Sequence, residues 1–180
     1  MKRNADDGKN FVHISLRLST PLRDQLSEEA RHRKVTLSSL INTVLLNFVS
    51  SNKILASAKS IPVSGAFLRE LIEIASSEQM EAVGKKLGPK VVRQAFAFMG
   101  VPFNLDNVIK HYFEPLSSES GWYIFNTSFE GTNRKLIFSH SHGPKWTAFL
   151  KRYVAGIIYS ATGSEPEIVI VDETLTFTIR

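Results

Sequence analysis

The 180-residue chain contains no cysteine, only two tryptophans and only three methionines. Without thiols there are no disulfides, no thiolate metal ligands and no cysteine nucleophile, which fits a cytoplasmic protein. No apolar run approaches the roughly 20 residues a bilayer-spanning helix needs, so no membrane partner is expected. The stretch MKRNADDGKN is charged, with no apolar segment behind it, which argues against a secretory signal. A GxSxG nucleophile, a glycine fingerprint and a carboxylate pair in a defined setting are all missing, so catalysis has no positive support. There is no internal repeat and no low-complexity tract.

What is present is unevenly distributed. Residues 1–55 carry nine Lys/Arg against five Asp/Glu, whereas the other 125 residues are nearly balanced at thirteen against twelve. The basic excess therefore sits in the small N-terminal part, as expected of a segment that meets a polyanion. Ten of the twelve phenylalanines, both tryptophans and all four tyrosines lie beyond residue 62. That larger part is expected to build its own core.

The stretch Phe11–Leu26, FVHISLRLSTPLRDQL, opens with strand-like alternation. Val12, Ile14, Leu16 and Leu18 share one face, and His13, Ser15 and Arg17 point the other way. A helix start follows, with Ser19 and Thr20 as caps and Pro21 suited to the first turn. Leu22, Leu26 and Ala30 mark one face of a first helix. A second, opening at Thr36, carries Leu37, Leu40, Ile41, Val44, Leu45 and Phe48. One strand and two helices in about forty residues cannot bury that stripe alone, so a partner is implied.

This strand–helix–helix pattern resembles the ribbon-helix-helix family of Arc, MetJ and CopG-like repressors, over residues 11–50. The resemblance rests on the I-S-L-R-L strand, the cap and proline after it, and ARHRKVTLSSLI. That last run follows the family's A-x-x-x-G-x-[ST]-x-S-x-x-[IV] spacing. One departure is Lys34, which stands where the family has glycine, at a cost of about 1 kcal/mol in a left-handed turn.

The resemblance implies that the strand pairs antiparallel with its copy in a second chain. Val12, Ile14, Leu16, Leu18, Leu22, Leu26, Ile41, Val44 and Leu45 would then form a shared dimer core. The two-stranded ribbon would enter the major groove of double-stranded DNA, with His13, Ser15 and Arg17 reading bases. Thr36, Leu37 and Ser38 at the second helix start, with Arg33 and Lys34 before it, would hold phosphate. The alternative is an N-terminal strand that joins the sheet of the larger part.

Residues 51–62 read as a linker that can extend the second helix, and residues 1–10 as a flexible arm. Over 63–180 the spacing predicts helices at about 64–76, 78–87, 90–99 and 104–115, with Gly88-Pro89 as a stop and restart. GWYIFNTSF and RKLIFSHSH then form a hairpin, PKWTAFLKRYVAGIIYSA a helix, and EIVIV and LTFTI a second hairpin. The order, four helices then β-β-α-β-β, predicts an α+β domain with an antiparallel sheet. On a strand, His140 and His142 would share a face. His111 and Glu114 on a helix could converge on them to chelate a divalent metal. The plainer reading, two histidines at a polar strand end, is preferred, and no cofactor is otherwise expected.

The sequence thus points to a cytoplasmic, nucleoid-associated homodimeric transcriptional regulator. Its C-terminal domain would sense a small-molecule effector or build a higher oligomer. An antitoxin-type autoregulator with a protein-binding C-terminal domain is the alternative.

Overall fold

The computed structural model describes residues 14–57 and 63–180. The chain divides into two compact units, Met1–Leu45 and Leu46–Arg180. In the first unit, helix α1 spans Thr20–His32 and helix α2 starts at Leu37 and runs to Ser57. Pro21 lies in the first turn of α1, where its missing N–H costs nothing. The turn between the helices is a Schellman motif. The Val35 amide donates to the Ala30 carbonyl and the Lys34 amide to the Arg31 carbonyl, at 3.0 and 3.1 Å. Lys34 adopts the left-handed conformation with φ 55°, a position that favours glycine.

Over its described part the expected first strand is not formed within one chain. Residues 14–19 have no regular secondary structure and do not join the sheet of the second unit. Phe11, Val12 and His13 lie outside the described residues. A strand needs a ladder partner, and residues 14–19 pair with none of the described strands. The stretch read as a linker begins helically, since α2 continues through residues 51–57.

The second unit opens with α3, Gly65–Ile74, and α4, Ser77–Met99. Each starts at a serine cap. Ser64 accepts from the Phe67 amide, and Ser76 forms a reciprocal capping box with Gln79. The predicted break at Gly88-Pro89 does not occur, and α4 runs through it. An internal proline costs a helix about 3 kcal/mol, so packing must compensate.

The packing is against α6, Pro144–Thr162. A Cβ placed on Gly84 would lie 2.4 Å from the Phe149 carbonyl oxygen, and one on Gly88 2.4 Å from that of Tyr153. The two backbones meet where side chains are absent, and the Pro89 ring sits against Gly156. Local propensity is overruled by that close approach.

Helix α5 begins at Leu105–Val108, passes through a π-helical turn at Ile109–Phe113 and continues as Glu114–Glu119. The π turn stands directly before Pro115, whose ring would meet the carbonyl four residues back in a plain α-helix. Strands β1 (Ile124–Glu130), β2 (Asn133–Ser139), β3 (Glu167–Val171) and β4 (Thr174–Ile179) form one antiparallel sheet. The order is β1-β2-β4-β3, which leaves β1 and β3 as edges.

Alternation sorts the two faces of the sheet. Leu136 and Phe138 of β2 and Leu175 and Phe177 of β4 are fully buried, in one core with Trp146, Phe149, Leu150, Tyr153 and Ile157 of α6. Phe138 is central there, with edge-on contacts to Phe113, Tyr123 and Phe177 at 5.1, 4.9 and 5.6 Å. Tyr112 and Tyr153 bond hydroxyl to hydroxyl, and burial pushes the Tyr112 phenol up to about 12. The opposite face carries Asn126, Ile137, Thr176 and Val169 in register across the four strands. Among the described residues, no helix is long and apolar enough to cross a membrane.

Candidate nucleic-acid interface

The N-terminal unit has almost no interior of its own. Ala30 and Leu40 are its only buried apolar side chains among the described residues. The residues expected in a dimer core are open instead: Ile14 is 73% exposed and Leu16 56%, and Leu18, Leu22, Val44 and Leu45 are also exposed. Leu26 and Ile41 are half-buried. Several exposed side chains of this size on one segment and two helices are of the kind that marks an interaction surface.

Of the expected base-reading residues, Ser15 and Arg17 lie in the exposed extended segment before α1, and His13 lies outside the described residues. Among the described residues Arg17 has no ion pair or hydrogen bond, so its five donors are available. The phosphate-binding candidates come together at the start of α2. Thr36 Oγ1 accepts from the Ser39 amide at 3.1 Å, capping the helix. The Leu37 and Ser38 amides have no acceptor among the described residues and point out of the positive end of the helix.

The cations around this end are not equivalent. Arg33 pairs with Glu29 at 2.5 Å and Arg31 with Glu28 at 2.7 Å, while Lys34 has no acidic partner among the described residues. Sequence reasoning counted Arg33 and Lys34 alike and overlooked the two glutamates. The signal was present, because glutamates three and four residues earlier on one helix face the arginines. These pairs are well exposed and weak, so a phosphate can compete for both arginines.

In the second unit the histidine pair is placed differently from the expectation. Strand β2 ends at Ser139, so His140 and His142 lie in the loop that follows it. Their rings stack in parallel with centroids 6.2 Å apart. His140 Nδ1 accepts from the His142 amide at 3.2 Å, and its Nε2 faces the Thr147 hydroxyl at 3.0 Å. His142 Nε2 donates to the Gly121 carbonyl at 2.8 Å. The Glu173 carboxylate accepts from the Gly143 amide, fastening this loop to the β3–β4 hairpin.

His111 and Glu114 do not complete a ligand set with them. Among the described residues there is no group of three or more His, Asp or Glu side chains able to hold a metal. The π turn is the reason on the helix side, since it alters the spacing that would align residues three apart. Trp146, Phe149 and Tyr153 are core side chains, each at most 4% exposed. Comparison with protein-family models, curated proteins and solved structures returned no match.

Proposed function

We propose that the chain is a sequence-specific DNA-binding transcriptional regulator of the ribbon-helix-helix type, acting as a homodimer. The observation that carries this reading is the exposure, in one chain, of the residues that the sequence pattern assigns to a shared core. Burying side chains such as Ile14, Leu16, Leu22 and Leu45 against a second copy contributes about 1.5–3 kcal/mol each. The same pairing supplies residues 14–18 with a ladder partner, which they lack in one chain.

In the paired state Arg17 stands on the outward face of a two-stranded ribbon that fits the major groove. Its guanidinium donates two bonds to guanine O6 and N7, Ser15 donates or accepts, and His13 flanks them. The Leu37 and Ser38 amides and Lys34 hold backbone phosphate on either side, which sets affinity and salt dependence. The C-terminal domain, with its separate aromatic core, serves as a sensing or oligomerisation module.

Selection from a random pool of duplex DNA tests the reading. The native chain is expected to enrich a short inverted or tandem sequence, and Arg17→Ala to lose about 1–3 kcal/mol of discrimination at one base per half-site. Equal binding of all sequences by both proteins would overturn base reading. A single-chain mass at micromolar concentration would overturn the ribbon.

A further inference from the structure

The loop that joins β2 to α6 closes on itself through one imidazole. His140 Nδ1 accepts from the His142 amide at 3.2 Å, so this nitrogen carries no proton. The neutral ring then carries its proton on Nε2, which donates to the Thr147 hydroxyl at 3.0 Å. That hydroxyl in turn donates to the Gly143 carbonyl at 3.4 Å. Donor meets acceptor at every step from the His142 amide to the Gly143 carbonyl, and the order holds in only one protonation state of the ring. Around it, the Glu173 carboxylate in the β3–β4 turn accepts from the Gly143 amide at 2.8 Å. His142 Nε2 donates to the Gly121 carbonyl, which leaves its Nδ1 buried without a partner. The titratable groups that act on the His140 ring are Glu173 and His142. Lys145, in the first turn of α6, is engaged by Glu73 of α3 at 2.9 Å.

We propose that this loop is a latch released by acid. A proton taken from solvent at His140 Nδ1 turns an acceptor into a donor that faces the His142 N–H, and that bond is lost. The charged ring draws the Glu173 carboxylate, which gives up the Gly143 amide, so residues 140–143 come away from α6. Burial disfavours the charged ring, Glu173 opposes that effect and His142 adds to it. The latch is therefore closed above the ordinary histidine range, about pH 6.5, and opens as pH falls through the lower value the buried ring holds. The His142 ring leaves with the loop and uncovers the Trp146 indole, which it meets edge-on at 5.6 Å. The latch concerns this loop alone and holds whether or not the chain binds DNA.

The only two tryptophans of the chain make the test direct, because Trp146 Nε1 donates to the Trp122 carbonyl beside this loop. Between about pH 7.5 and pH 5, emission from the full-length native chain is expected to shift to the red in one step while helical circular dichroism stays constant. His140→Asn puts an amide oxygen near the place of Nδ1 and takes up no proton there, so its emission maximum is expected to stay put. Quenching without a shift means protonation without movement and rules the latch out. So does the same shift in His140→Asn, or a shift that coincides with loss of helix. Nuclear magnetic resonance of the native chain gives an independent reading. The imidazole nitrogens of His140 are expected to show the Nε2–H form at neutral pH. Protection of the His142 amide, corrected for the intrinsic exchange rate, should fall about tenfold in acid, the worth of one hydrogen bond. An Nδ1–H form at neutral pH, or protection that does not change, would sink the proposal. DNA selectivity is measured separately, and a failure there leaves every one of these readouts unchanged.

Discussion

The two units of this chain differ in what they bury. The C-terminal unit closes around Leu136, Phe138, Leu150, Tyr153 and Phe177, each almost fully inaccessible, and needs no partner for its core. The N-terminal unit buries Ala30 and Leu40 and leaves its larger aliphatic side chains open. A pattern of apolar residues therefore means different things in the two places. In one it describes an interior, and in the other it describes an exposed surface, which the proposed dimer would bury.

The largest effect is expected where the comparison can be broken outright. Leu16→Asp places a carboxylate in the proposed shared core, so the ribbon dimer should dissociate, with a fall in mass, and DNA binding should be lost. The melting transition of the C-terminal unit should stay in place, and sedimentation with calorimetry reads both. If Leu16→Asp leaves the mass unchanged, the exposed stripe is not the interface. The converse is Gly88→Ala, whose methyl group would drive α4 off the Tyr153 carbonyl. It should cost the C-terminal unit about 1–3 kcal/mol in denaturant unfolding and leave dimerisation intact.

Two smaller effects sharpen the contrast. Lys34→Gly relieves the left-handed turn and should stabilise the N-terminal unit by about 1 kcal/mol, seen as a higher melting temperature. His140 tests the other unit through pH. Its burial holds the ring below the ordinary imidazole range, opposed by nearby Glu173 and reinforced by His142. As pH falls the unfolded state then takes up the proton first. This contribution to stability is complete above the usual histidine range and is lost as pH drops through the depressed value. His140→Gln should flatten the decline in melting temperature between about pH 7 and pH 5.

Much of the architecture was legible because it is local. The hairpins, the helix over 144–162 and the turn at Lys34 all follow from residue type and spacing. What misled was also local: Gly88-Pro89 reads as a break because a proline interrupts an isolated helix. Gly84 and Gly88 are there for a different reason, since they let α6 come within backbone contact. The H-x-H pair similarly looked like strand residues on one face. Strand β2 ends one residue earlier, and the ring nitrogens face Thr147, Gly121 and the loop backbone.

The sequence by itself determined the α+β class, the placement of most elements and the apolar stripe of the N-terminal unit, because periodicity and capping act over a few residues. Only the tertiary structure decided that α4 continues through Pro89, that α5 contains a π turn before Pro115, and that His111 and Glu114 do not join His140 and His142. It also decided that β3 is an open edge with three exposed apolar residues. Each of these depends on which segments meet across the fold, and the free energy of such meetings exceeds the local preference that a short stretch of sequence records.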